Sequence, residues 1–286
     1  MKRLDRSEII FKIFAYVLLT VFALCCLYPF IFVVSNSISS KAAVDAGTIV
    51  FLPDTVNFSV YKAVFTDILF WKSYCNSFYF AMYGTLVSMV VAICGAYALS
   101  KTRLLFGRGF NFLLVFTMWF NAGLIPTYNN FKDFNVNNRE MFIIALGFNA
   151  FNIILLRNYF SSVPTEIEEA ATIDGATEFQ ILMRVYIPMS KSSIVTVAMF
   201  YAVSRWNGYI WAQMLLGDQD QQPLTVYIRR KLEEITAEGY VPPSDDYSSY
   251  AIQYAFIVCS IIPIVVIYPK LQKYFAAGIN VGGVKE

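Results

Sequence analysis

Residues 13–34 read IFAYVLLTVFALCCLYPFIFVV, 22 residues in a row without a charge. A helix that crosses a bilayer needs about 20 mostly apolar residues, because the hydrocarbon core is about 30 Å thick and each residue rises about 1.5 Å. Lys2, Arg3 and Arg6 precede the run like the basic region of a signal peptide. The apolar stretch, however, is longer than the usual 7–15 or so residues, and no A-x-A site follows at once, so the segment reads as an anchor. The same pattern returns along the chain. Residues 74–100, 110–131 and 247–268 carry no charge, 141–160 carries only Arg157 near its end, and 192–216 carries only Arg205. A long basic side chain near a span end can snorkel to the surface. The expectation is an all-α polytopic membrane protein with six transmembrane helices in one transmembrane domain over residues 1–286.

Composition agrees. Of 286 residues, 57% are apolar or aromatic and 15% are charged, against about 45–50% and about 25% in an ordinary soluble domain. A chain of this size buries about three-quarters of its extended surface, which leaves no interior for the excess and excludes a soluble enzyme. A net charge of +2 gives no electrostatic footprint for nucleic acid. There is no histidine, which removes the commonest general base, the commonest zinc ligand and every Ser–His or Cys–His nucleophile. No CxxC pair occurs. The five cysteines are therefore expected to be small buried hydrophobes, with neither a metal nor a disulfide.

With the N-terminus inside, six spans place both ends in the cytoplasm. The cytoplasmic side then holds 13 Lys or Arg residues and the outside 8, as the positive-inside rule requires. Two external segments are long, 35–73 and 217–246. They combine turn formers (Pro53-Asp54, Pro242-Pro243) with helix-like pieces such as 225–237. Such loops pack against a pore or a partner, or simply cover helix ends.

The cytoplasmic connection at residues 161–191 reads SSVPTEIEEAATIDGATEFQILMRVYIPMSK. Pro164 suits a first helical turn, and Thr165-x-x-Glu168 has the form of a capping box. Glu166, Glu168 and Glu169 stand near that helix start, where the macrodipole favours acid. Gly175 can end the helix in the left-handed conformation. Thr177-x-x-Gln180 forms a second capping box, and Pro188 is expected to close the second helix. Acids alternate with Ala170, Ile173, Phe179 and Leu182, as on a surface that enters a partner's groove.

This segment resembles the EAA loop of ABC-importer permeases: E-A-A, three residues, G, nine residues, I-x-L-P. Glu169-Ala170-Ala171, Gly175 and Val185-Tyr186-Ile187-Pro188 stand in those places, with Asp174 before the glycine. The resemblance implies the type I ABC importer permease fold, with cytoplasmic coupling helices seated in a cleft of an ATP-hydrolysing subunit. It puts Glu169, Ala170, Ala171, Asp174, Gly175 and Pro188 on the docking surface. An ordinary interfacial helix would carry more Lys and Arg. Residues 200–207 (FYAVSRWN), 119–128 (WFNAGLIPTY) and the tail 275–283 are similar to the carbohydrate branch of these permeases, nearest the maltose-type systems for complex oligosaccharides. Similarity thus covers nearly the whole chain. Arg205 departs from that branch, where histidine is more usual.

The resemblance further implies a bacterial cell membrane location and four kinds of partner. These are a second permease in a heterodimer, two ATP-binding subunits, an extracellular solute-binding protein, and the oligosaccharide itself. ATP and Mg belong to the partner subunits and no cofactor to this chain, which has no G-x-x-x-x-G-K-[ST] loop to cradle phosphates. Sugars are held by aromatic faces with amide and charged groups nearby. Tyr201, Arg205 and Tyr209 recur at i, i+4 and i+8 as one stripe, with Trp206 and Asn207 beside it. Trp119, Asn121 and Tyr128 are weaker candidates, because aromatics near span ends more often serve as interfacial anchors than as ligand contacts. Arg205, alone in its span, marks a functional site by default. It either faces the translocation path and favours an acidic sugar such as a uronate, or snorkels outward or pairs with an acid on the second permease. A secondary transporter is disfavoured by the lack of an internal repeat and of acids or histidine in the spans. A scaffold or receptor leaves the loop unexplained. A peptide or amino-acid importer permease is the alternative within the class.

Overall fold

The computed structural model describes residues 6–237, 240 and 244–282, and every regular element among them is helical. In chain order these are α1 (Arg6–Ile38), α2 (Lys41–Asp45), α3 (Ser59–Thr66), α4 (Ile68–Ser100), α5 (Gly107–Trp119), α6 (Leu124–Asp133), α7 (Arg139–Ala145) and α8 (Ala150–Phe160). There follow α9 (Thr165–Ile173), α10 (Glu178–Ile181), a π-helical turn (Leu182–Tyr186), α11 (Ile187–Met189), α12 (Lys191–Trp206) and α13 (Ile210–Leu215). A 3-10 turn (Gln219–Gln221), α14 (Leu224–Thr236) and α15 (Ser249–Gly282) complete the chain. It divides into two compact units, Met1–Ile68 with Ile228–Ile262, and Leu69–Tyr227 with Pro263–Glu286.

In the first unit, α1 is apolar on every side, and its most hydrophobic stretch buries nothing against the protein. Such a helix is at home in hydrocarbon or against another apolar surface. Its C-terminal turn changes character: Ser35, Asn36, Ser37 and Ser39 are buried, and the Ser37 and Tyr61 hydroxyls lie 2.7 Å apart. Beyond it, Asp54 accepts hydrogen bonds from the Ser40 hydroxyl and amide, which hold its carboxyl down at about 2. The Asn57 amide donates to the Asp246 carbonyl at 2.9 Å, and Lys41 pairs with Asp245 at 3.1 Å. The Pro242-Pro243 turn lies outside the described residues.

The second unit is organised by one stripe of α4. Phe80, Gly84, Ser88, Ala92 and Ala96 recur every four residues, and the last three are fully buried. Small residues at that spacing let neighbouring helices approach closely where no water drives them together. Ala92 and Ala96 pack in a core with Ile153, Leu156, Phe160, Val197 and Tyr201. Here α8 lies against both α12 and α5. Phe80 belongs to a second core with Phe142, Ile143 and Leu215.

Three helices, Ser7–Ile38, Ile68–Ser100 and Ser249–Pro269, are long and apolar enough to cross a membrane unaided. The expected span 110–131 is instead a pair, α5 and α6, bent by 118° where Gly123 takes a φ of +88°. The span expected at 141–160 is α7 and α8, bent by 56°, because Asn149 turns its side chain onto the Asn152 amide and starts a new helix. Span 192–216 is not continuous either, since α12 ends at Trp206 and α13 begins at Ile210. Broken helices occur at membrane depth only where the freed backbone groups find other partners. The cysteines also differ from expectation. Cys259 is buried, but Cys25, Cys26, Cys75 and Cys94 are exposed, on helices whose surfaces are apolar outward as well as inward.

Candidate functional site

The loop at 161–191 folds as two helices around a tight turn. Residue Asp174 ends α9 and Gly175 follows at φ +78°. The Ala176 amide reaches the Ala171 carbonyl and the Gly175 amide the Thr172 carbonyl, both at 3.0 Å, which is the Schellman arrangement. The second capping box forms as expected between Thr177 and Gln180. The first does not: Pro164 is the N-cap, and no side chain caps α9. Glu168 is drawn away by other partners, Lys101 at 2.7 Å, Arg103 at 3.4 Å and the Tyr186 hydroxyl at 2.6 Å. Burial pushes the Glu168 carboxyl up, but those hydrogen bonds and charges outweigh it, so it titrates below its ordinary value. Burial and the bond to Glu168 push the Tyr186 phenol up. Pro188 does not close the second helix. It sits inside α11, just after the π-helical turn, and the helix stops at Ser190. The wider turn accommodates a residue that cannot donate to the turn before it.

Glu169, Ala170, Asp174, Gly175 and Pro188 are exposed, while Ala171 is half-buried against the core. Beside them two large apolar side chains stand in solvent, Ile173 at 86% exposure and Phe179 at 69%. Among the described residues Glu169 has no ion-pair partner. The exposed side of the loop is therefore acidic and apolar at once, and the described residues leave it uncovered.

The second candidate site is a cavity of about 740 Å³ whose lining includes Tyr201, Arg205, Asn207 and Tyr209. The break after α12 interrupts the expected helical stripe yet keeps all four side chains on one cavity. Trp206 is not among them; it is buried against Tyr74 and Phe78, with ring centroids 5.9 and 5.1 Å away. Trp119 and Asn121 are elsewhere: Trp119 is 82% exposed, and Asn121 accepts from the Gly123 amide to shape the bend after α5. Tyr128 packs beside the second core. The cavity is completed by residues that hydropathy did not single out, among them Asn149, Asn152, Ser204 and Trp211. Asn149 had a signal, since Gly147-Phe148-Asn149 interrupts an apolar run with turn formers.

Arg205 is 8% exposed. Its Nη2 donates to Ser88 Oγ at 3.1 Å and to the Leu146 carbonyl. Leu146 is the residue at which α7 ends, so the guanidinium satisfies a carbonyl left free by the bend. Its stem packs on Gly84, where an added Cβ would stand 3.1 Å from Nε. No carboxylate among the described residues lies within ion-pair distance of Arg205. The arrangement holds one buried positive charge at the wall of a cavity that also offers aromatic rings and amides.

An apolar helical fold, a buried cation at a cavity wall and an acidic and apolar loop that the described residues leave uncovered are the features of a transport subunit. The chain belongs to the family of binding-protein-dependent transport system inner membrane components, which matches residues 2–281. It is 34% identical over 283 residues, 96% of this chain and 98% of the relative, to the polygalacturonan/rhamnogalacturonan transport system permease protein YtcP of Bacillus subtilis (strain 168). It is 28% identical, over 83% of each chain, to the arabinooligosaccharides transport system permease protein AraQ of Halalkalibacterium halodurans. A crystal structure of a bacterial ABC transporter involved in import of the acidic polysaccharide alginate contains a chain 44% identical, with a TM-score of 0.88, covering 96% of this chain and all of that one. The protein is thus a multi-pass ABC importer permease of the type I fold, a transport component of the inner membrane.

Proposed function

We propose that this permease forms, with a second permease, the translocation path for an acidic oligosaccharide delivered by an extracellular solute-binding protein. Two separate ATP-binding subunits hold ATP and Mg and hydrolyse the nucleotide. They dock on the loop at 161–191 through Glu169, Ala170, Ala171, Asp174, Gly175 and Pro188. Six spans run with both termini in the cytoplasm, the two bent pairs and the α12–α13 segment each counting as one. ATP-driven closure of the docked subunits tilts the helix bundles and turns the cavity from one side of the membrane to the other.

The observation that carries the reading is the pair of adjacent acids on α9: Glu168 turns into the chain while Glu169 stays exposed beside Ile173 and Phe179. The solute class is supported by the names of the two relatives reported above, both of which concern sugars. Acidity is supported by Arg205, whose charge has no counter-ion among the described residues and is the complement of a uronate carboxylate. Exchange of Glu169 for Lys tests the docking. ATP-binding subunits that co-purify with the wild-type chain are expected to be lost from Glu169→Lys, and their full retention would remove this acid from the docking surface.

A further inference from the structure

The inward-facing half of the docking loop is built around a buried cation that the docking itself does not use. Lys101 follows directly on α4, and its side chain is 9% exposed. Its Nζ lies 4.2 Å from the ring centroid of Tyr97 and 4.0 Å from that of Tyr186, two rings that meet edge to face at 5.0 Å. The same nitrogen is 2.7 Å from Glu168 Oε2, to which the Tyr186 hydroxyl donates at 2.6 Å. On the near side, the Tyr97 hydroxyl donates to Glu178 Oε2 at 2.7 Å, and Arg103 joins Glu178 to Glu168. The C-terminal end of α4 is thereby tied to α9, to α10 and to the π-helical turn at one point.

Apolar packing of equal volume would stabilise such a contact at least as well as a buried ion pair does. What the ion pair adds is direction. An ammonium group held between two aromatic faces and one carboxylate has a single favourable position in a low-dielectric site. The same helix also reaches the Arg205 cavity. Ser88, twelve residues before the end of α4 and therefore about 18 Å along its axis, contacts the guanidinium of Arg205, and Gly84 receives that side chain's stem.

We propose that Lys101 is a positioning residue that locks the docking loop to α4, so that a displacement of the loop reaches the Arg205 cavity along that helix. The proposal rests on the docking role of the loop and adds the route by which docking acts on the solute path. Without the lock, the loop can follow its ATPase while α4 stays behind.

The test uses the assembled importer in proteoliposomes, with ATPase content, ATP hydrolysis and solute uptake measured on one preparation. Lys101→Met is expected to retain its ATP-binding subunits and to hydrolyse ATP, while uptake per ATP hydrolysed falls about tenfold, the size of an ordinary coupling free energy. Glu168→Gln, which keeps the shape of the carboxyl, is expected to show the same loss. Lys101→Arg, which keeps a cation over both rings, is expected to restore the wild-type ratio. An unchanged ratio in Lys101→Met, or a loss that Lys101→Arg does not restore, overturns the proposal. So does a Lys101→Met chain that no longer holds the ATP-binding subunits, since the pair would then serve docking itself. A wild-type chain that never holds those subunits refutes the docking role instead.

Discussion

Replacing Arg205 with Gln is expected to lower uptake of an acidic oligosaccharide by about tenfold to a hundredfold relative to a neutral one. A hydrogen bond to a charged group contributes about 1.5–3 kcal/mol, and each 1.4 kcal/mol or so is a factor of ten. Two effects are superimposed in this variant and can be separated. The Leu146 carbonyl, freed where α7 ends, loses its guanidinium donor. A buried acceptor left unmade costs about 1–3 kcal/mol. That loss acts on the fold and lowers the thermal midpoint of the purified chain, whichever solute is offered. The loss of the positive charge acts on selectivity, while the burial cost it relieves belongs to the fold and is the same for either solute. The ratio of acidic to neutral uptake within one preparation cancels the first effect and isolates the second. An unchanged ratio would assign Arg205 wholly to holding the bend between α7 and α8.

Gly175→Val should be as damaging at the other end of the molecule. The φ of +78° there belongs to the left-handed region, and an added Cβ meets nothing within 4 Å. Crowding is therefore not the cause of the effect. Backbone strain is, at about 1–3 kcal/mol for a residue forced into that region, and more readily for a β-branched one. The turn joins α9 to α10, which carry the exposed Ile173 and Phe179. Relaxing the strain means opening the Ala176-to-Ala171 hydrogen bond, so the two-helix surface loses its shape. Co-purifying ATP-binding subunits are expected to fall about tenfold or more. Gly175→Asn is the control, because asparagine tolerates the left-handed conformation. Equal losses in both variants, or none in either, would contradict the account of the turn.

Much of this architecture was legible because lipid imposes a simple requirement. The uncharged runs 13–34 and 74–100 lie within the long helices α1 and α4, most of 247–268 lies within α15, and Gly175 with Thr177 and Gln180 marks a helix end followed by a new start. The breaks inside the other spans were harder. Hydropathy sums side chains and takes no account of the dihedral angle of Gly123 or the cap at Asn149, although both residues are visible turn formers. The division of labour on α9 could not be read from the loop itself. Glu168 and Glu169 differ by 100° or so around a helix, and the one that turns inward is selected by Lys101, 67 residues earlier in the chain. The cavity shows the same limit: Tyr201, Arg205, Asn207 and Tyr209 share a local pattern, but Asn149 and Asn152 join them only once α8 has packed on α12. Trp206 was drawn by composition toward the solute path and by packing toward Tyr74 and Phe78.

The most direct measurement is solute uptake by the complete importer, reconstituted with the second permease, the ATP-binding subunits and the solute-binding protein proposed above. Labelled oligogalacturonate, a neutral oligosaccharide of equal length and a peptide would be offered in turn, with and without ATP. Accumulation of the acidic chain is expected to require both ATP and the binding protein and to exceed that of the neutral chain. Entry that proceeds without ATP, or accumulation of the peptide in place of the sugars, would contradict the proposed function.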